Sequence, residues 1–319
     1  MHPTDHVPSS SPVMDLGPSM AVTVEAIEDQ TPEGARKKKL GVGAWLAIGW
    51  IVGLGVLAII APWIGVPDPT RTFPEFARSG PSAAHWLGND GLGRDLAARI
   101  IYGTRASYIV GFGAVAFGLL IGGFLGLVVG FFRGRVDAII TPLMTVLLAI
   151  PQFVLALALV TVLATPQRAG ETINPSVRLG VVVLGLGLVS IPILGRITRA
   201  TTMAWSEREF VLAARAMGAK QFRIMFREVL PNVVPAMLSI ALLGVGIAIV
   251  AEGGLALFGA GVQLPTPSWG NIIATDKDQL ARSPHIILIT SMVIFLTVMA
   301  LNYLGDVVVE RFDVRESVL

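Results

Sequence analysis

Few residues in this 319-residue chain could do chemistry. It contains no Cys, which excludes thiol catalysis, disulfides and Cys-ligated metals. The four His, at positions 2, 6, 85 and 285, are too scattered for a metal cluster, and no metal or cofactor is expected. Ser190, Ser239 and Ser291 lie in apolar runs with no His or Lys placed to serve as their base, which argues against an intramembrane hydrolase. The phosphate-loop pattern Gly-x4-Gly-Lys-Ser/Thr is missing, as is any Gly-Lys dipeptide, so ATP hydrolysis is not expected of this chain. Two features remain. Glu252 is a carboxyl about 20 residues into an apolar run, where a charge is costly and usually functional. Either it lines a translocation path and meets an amine or a cation, or it is buried and hydrogen-bonded to neighbouring backbone, or it faces the outer interface. The second feature is Glu209 to Pro231, a charged helix-turn-helix between two apolar runs, bearing Arg215, Lys220, Arg223 and Arg227, with Arg208 just before it.

The elements that hold these features are set by composition. The chain is 53% hydrophobic and 14% charged, with a mean hydropathy of +0.71. Soluble domains run near a quarter charged, so this is an integral membrane protein. Net charge is only +2, and no nucleic-acid partner is implied. Uncharged runs cover Leu40–Pro67, Ala106–Phe132, Ala138–Gln167, Leu179–Gly195, Val229–Ala251 and Ser283–Gly305. A helix needs roughly 20 apolar residues to cross the hydrocarbon core, so six transmembrane helices are expected. Barrel-type alternation is absent, and the fold class is all-α, polytopic.

Lys and Arg placement gives the orientation. With the N-terminus in the cytoplasm, the basic cluster Arg36–Lys39 and the basic loop both fall inside, as do Arg133, Arg135, Arg196, Arg199, Arg311 and Arg315. Both termini are then cytoplasmic. Residues 1–39, rich in Pro, Ser and acidic residues, read as a disordered tail. Residues 40–66 are a retained first span, and 311–319 a short C-terminal tail. Residues 67–104 form an external segment ending, from Leu96, in an interfacial amphipathic helix with Ile100 and Ile101 on its apolar side and Arg99 on the other. Trp86 and Trp269 are expected as interface anchors. Residues 105–310 make a five-helix core interrupted by the loop at 205–231.

Within the spans, Gly118, Gly122, Gly126 and Gly130 share one face, which predicts close helix packing. Pro142, Pro151 and Pro192 can bend their helices. Asp137 stands at a span start, where a carboxylate favours the helix N-terminus. Arg196 reads as a snorkelling boundary charge. In the loop, Phe210, Ala214 and Met217 form a stripe, and Ala213–Ala214 permit close approach of a partner. Gly218 can take positive φ and end the helix, and Pro231 fits the first turn of the next span.

The loop resembles the coupling loop of type I ABC importer permeases, whose pattern Glu-Ala-Ala-x3-Gly-x9-Ile-x-Leu-Pro is met at Ala213, Ala214, Gly218, Leu230 and Pro231. Leu212 replaces the usual Glu, and Glu228 the usual Ile. Three further blocks are similar to the C-type permease subunit of dipeptide, oligopeptide and nickel importers: His85–Asp95, Ala251–Leu255 running on to Gln263–Gly270, and Gly305–Arg315. The resemblance covers residue 40 to the C-terminus. It implies the type I permease fold in a bacterial plasma membrane. It also implies a sister permease, two cytoplasmic ATPase subunits gripping Phe210, Ala213, Ala214, Met217, Gly218, Leu230 and Pro231, and an external substrate-binding protein. The implied cargo is a dipeptide or oligopeptide, with nickel or haem as the alternative. A stand-alone secondary transporter would need coupling charges within its spans, and Glu252 is the one candidate.

Overall fold

The computed structural model describes residues 40–164 and 174–313, of which 40–312 form one compact unit. Among the described residues every regular element is helical, apart from one isolated bridge between Asn89 and Asp95. Five helices are long and apolar enough to span a membrane: α1 (Val42–Ile60), α2 (Leu96–Phe132), α5 (Pro175–Ser206), α7 (Gln221–Leu257) and α9 (Pro284–Asp313). A sixth crossing is made by a broken pair, α3 (Gly134–Ala149) and α4 (Gln152–Leu163), bent by 89° at Ile150–Pro151. Two short α-helices lie between spans, α6 (Glu209–Ala216) between α5 and α7 and α8 (Trp269–Asp276) between α7 and α9, with single 3-10 turns at Pro74–Phe76 and Lys277–Gln279. The anticipated tail at 1–39 lies outside the described residues, as do 314–319. The C-terminal boundary at 311 moves, because α9 runs on to Asp313.

The glycine stripe explains the centre of the bundle. A Cβ on Gly118 would collide with Ser190. On Gly122 and Gly126 it would strike the backbone of Ile191 and Gly195, and on Gly130 that of Arg199. Hydrogen side chains therefore let α2 lie directly on α5, where dispersion contacts and backbone approach replace the hydrophobic drive that lipid cannot supply. Further up the same pair, Val110, Ala114 and Val115 of α2 and Val182, Leu186 and Val189 of α5 join Val245 and Ile249 of α7 in the main apolar cluster. Asp137 does more than favour a helix start. Its carboxylate receives two bonds from Arg199, at 2.8 and 2.7 Å, and one from the Thr141 hydroxyl at 2.6 Å, tying α3 to α5.

α1 lies against α2. Tyr108 Oη donates to Ile51 O at 3.2 Å, and Arg105 Nε donates to Ala58 O at 2.7 Å, so a cation covers the open carbonyls at the C-terminus of α1. Trp50 Nε1 donates to Thr297 Oγ1 on α9 at 3.1 Å.

The largest departure from expectation is at Leu96. The sequence suggests an interfacial helix there, yet α2 begins at Leu96 and continues without interruption into the bundle. Arg99 is only 1% exposed, and Leu96 and Ile100 are buried with it. A charge in an apolar surround is placed in water by default; here two of its guanidinium nitrogens are bonded internally, Nη1 to Asp90 and Nη2 to Asn271.

Candidate functional site

Two sites stand at opposite ends of α7. The first is the helix-turn-helix. α6 ends in a Schellman arrangement: Ala219 N–H donates to Ala214 O at 3.1 Å and Gly218 N–H to Arg215 O at 3.0 Å, with Gly218 at φ +79°. Only glycine adopts that backbone without steric cost, as its position in the sequence implied. One face of α6, Val211 and Ala214, is buried in a cluster with Leu127 and Phe131 of α2 and Ile224, Met225, Val229 and Val233 of α7. Leu230 is half-buried against the same cluster. The opposite face is open: Phe210, Leu212 and Ala213 are exposed, and Met217 is 81% exposed. The stripe expected from spacing is therefore split. Phe210, Ala213 and Met217 face outward, whereas Ala214 faces the chain's own core, because the apolar positions of the next helix close over it.

The following span begins earlier than expected. α7 starts at Gln221 and includes a π-helical stretch, Met225–Val229. Pro231 is exposed and lies two residues beyond that stretch, in the first turn of the α-helical part Leu230–Leu257, as its place in the sequence implied. The wider turn accommodates the missing N–H of Pro231, and Asn232 Nδ2 donates to Glu228 O at 2.6 Å. Around the exposed face, Lys220, Arg223 and Arg227 are exposed, and the Arg215 guanidinium stacks 5.6 Å from the Phe131 ring.

The second site is a buried polar chain at the other end of α7. Asp90 Oδ1 accepts from the backbone N–H groups of Leu92 and Arg94, each at 2.9 Å. Its Oδ2 accepts from Arg94 Nε at 2.7 Å and Arg99 Nη1 at 2.8 Å. Arg99 Nη2 donates to Asn271 Oδ1 at 3.1 Å. Asn271 and Ser268 form a reciprocal cap on α8: Asn271 N–H donates to Ser268 Oγ, and Ser268 N–H to Asn271 Oδ1, both at 3.1 Å. Ser268 Oγ donates in turn to Glu252 Oε1 at 2.9 Å, and Val262 N–H donates to the same oxygen at 3.4 Å. Every side chain in this chain is buried, Glu252 completely. Glu252 is thus enclosed by its own chain, its Oε1 held by Ser268 and Val262.

Glycines make room for it. A Cβ on Gly270 would stand 2.6 Å from Glu252 Oε2, and one on Gly91 would overlap the Asp276 carboxylate. Gly91 N–H donates to Asp276 Oδ2 at 3.2 Å. Burial holds the Asp276 carboxyl above the ordinary carboxylate range, with the Gly91 bond pulling the other way. Trp269 is not an interface anchor. It is fully buried, its indole N–H donating to Ile100 O at 3.1 Å, whereas Trp86 is 79% exposed. His85 Nδ1 lies 2.8 Å from Asp95 Oδ2, and Asp95 Oδ1 accepts from Ala98 N–H at 2.7 Å as the N-cap of α2. The sequence reading missed Arg99, Ser268 and Asn271. The available signal was the density of Asp and Arg within Asp90–Arg99 and the Ser-x-x-Asn cap, both unusual in a chain so apolar.

These features define a multi-helix membrane protein that presents a helical turn at one end of α7 and a buried polar chain at the other. The chain belongs to the binding-protein-dependent transport system inner membrane components, whose family model matches residues 118–318. A dipeptide transport system permease of Alkalihalophilus pseudofirmus is 32% identical over 306 residues, covering 96% of this chain and 94% of the relative. A di/tripeptide transport system permease of Pseudomonas aeruginosa is 36% identical over 262 residues, covering 80% and 82%. A glutathione transport system permease of Pectobacterium atrosepticum is 34% identical over 267 residues, covering 82% and 85%. The MetNI methionine ABC transporter, in an inward-facing form, has a chain of the same fold: TM-score 0.55, 17% identity, 67% of this chain and 95% of that one. The protein is accordingly an ABC importer permease of a bacterial inner membrane.

Proposed function

We propose that this permease carries peptides, pairs with a sister permease, and is driven by two cytoplasmic ATPase subunits that grip the open face of α6, with an external binding protein delivering the cargo. The observation that carries the coupling role is the division of α6 into two faces. Val211 and Ala214 fix it to α2 and α7, and Phe210, Ala213 and Met217 are exposed beside a glycine stop, with the Phe210 ring resting against Trp205. A helix fixed on one side and bare on the other transmits force from whatever holds the bare side. The turn at 207–220 is cytoplasmic, as are both termini, and the segments at 61–95 and 258–283 are external, in keeping with the Lys and Arg distribution. The peptide assignment follows the dipeptide, di/tripeptide and glutathione relatives.

With Glu252 enclosed, the translocation path falls to the broken span. Ile150 is 38% exposed and Pro151 is exposed at the break, with Gln152 Nε2 donating to Leu147 O and Ile150 O at 3.2 and 3.0 Å. Non-helical backbone at membrane depth is tolerated against protein or a water-filled cavity, not against lipid, so this side faces the sister subunit and the path. The test is co-expression with the sister permease, the ATPases and the binding protein. The whole assembly in proteoliposomes takes up a labelled dipeptide on ATP addition, and the chain without the ATPases does not. Uptake without ATPase subunits contradicts the reading.

A further inference from the structure

α7 is one continuous helix of 37 residues, so at 1.5 Å per residue it is about 55 Å long. Its first turns close the core beneath α6, and its last turns carry Glu252. Both functional ends of the molecule are thus parts of a single rod. At the external end, Leu96, Ile100, Leu255, Val262, Trp269 and Ile272 pack in the main apolar cluster, and through it runs the chain Asp90–Arg99–Asn271–Ser268–Glu252, whose bonds join the 85–95 segment, the start of α2, the N-terminus of α8 and α7. Asn271 is its hinge point. It accepts from Arg99 and from Ser268, and its amide donates to Thr266 O at 2.7 Å and Val262 O at 3.2 Å. Removing that one amide breaks the side-chain relay between Asp90 and Glu252, while the Arg99–Asp90 pair, the Ser268–Glu252 bond and the Gly91–Asp276 bond persist.

We propose that Asn271 is a positioning residue that makes this chain a latch, through which a protein bound on the external segment sets the position of α7 and thereby of the coupling turn. The proposal rests on the reading of α6 as the ATPase-docking element. Each link is a directional hydrogen bond in a water-poor surround, where a displaced donor or acceptor goes unsatisfied. Motion of the 85–95 segment is therefore passed on rather than absorbed. Without Asn271 the relay from Arg99 to Ser268 and Glu252 is interrupted, and the transmission it carries is lost.

The test uses the complete assembly in lipid nanodiscs and measures ATP hydrolysis with and without substrate-loaded binding protein. Asn271→Ala is compared with Ser268→Ala, which removes the Glu252 donor, and with Thr275→Ala, which deletes a hydroxyl on the same helix that bonds only Asn271 O. The stimulation ratio is expected to fall at least about five-fold in Asn271→Ala and Ser268→Ala, the lower range of allosteric couplings, with basal hydrolysis within about two-fold of wild type. It is expected to stay at wild type in Thr275→Ala. Wild-type stimulation in Asn271→Ala overturns the latch. So does failure of both latch variants to assemble, which would assign the chain to folding alone. Failure of the unmutated chain to capture ATPases is a separate result: it removes the docking reading and the latch with it.

Discussion

Met217 and Ala214 are three residues apart on the coupling turn, and the structure gives them opposite surroundings. Met217 is 81% exposed and Ala214 is 9% exposed, inside the cluster with Leu127 and Phe131. If an ATPase cleft covers the open face of α6, it buries a methionine side chain that is almost wholly available. Burying such a side chain contributes about 2 kcal/mol, so Met217→Ala weakens ATPase capture roughly thirty-fold. The helix itself is unaffected, because that side chain touches little of its own chain. Ala214→Arg acts differently. A guanidinium placed in the Leu127–Phe131–Val229 cluster is an unpaired buried charge, at a cost of several kcal/mol, and the turn detaches from the bundle to release it. The assay is titration of the purified permease pair with the ATPase subunit, alongside limited proteolysis at the basic residues of 208–227. Met217→Ala keeps wild-type protease resistance and loses affinity; Ala214→Arg loses both. Wild-type affinity for Met217→Ala, with a protease-resistant Ala214→Arg that no longer binds, would refute this assignment of faces.

Further expectations follow from the same geometry. Gly126→Val forces a side chain onto the Gly195 and Arg199 backbone and destabilises by roughly 1–3 kcal/mol, read as a lower melting temperature of the purified complex. Single cysteines at Lys220 and Thr266, in a chain without native Cys, are expected to label from opposite sides of the membrane, Lys220 from the cytoplasm; labelling of both from one side is incompatible with the topology. Asp276 titrates above its unfolded value because of burial, so its neutral form favours the fold: that stability is complete below the unfolded pKa and is lost as pH rises through the folded one. Asp276→Asn, whose amide oxygen keeps the Gly91 bond, is therefore expected to raise the melting temperature at neutral pH and to show no advantage in acid.

The spans were legible because uncharged stretches of membrane length leave few alternatives, and the glycine stripe because a four-residue repeat of hydrogen side chains has one packing consequence. Gly218 was legible for a local reason too, since a stop between two amphipathic turns needs positive φ. What failed was long-range. Phe210, Ala214 and Met217 satisfy helical spacing as well as Val211 and Ala214 do, and spacing cannot say which apolar face the rest of the chain will cover. Arg99 looked interfacial because its acceptor Asn271 is 172 residues away. Glu252 was balanced between path and core until Ser268 and Val262 appeared beside it. The start of α7 was placed late because Arg223, Arg227 and Glu228 read as loop charges, although the helix carries them on its first turns.

The central claim is that the open face of α6 is held by an ATPase subunit, and proximity cross-linking tests it most directly. A single cysteine at Met217, carried by a short photoactivatable linker in the complete membrane assembly, is expected to join this chain to an ATPase subunit, with the yield changing when loaded binding protein and ATP are added. A single cysteine at Ser82 provides the external control and is expected to give no such product. An ATPase adduct from Ser82, or none from Met217 in an assembly that hydrolyses ATP and takes up peptide, would contradict the account.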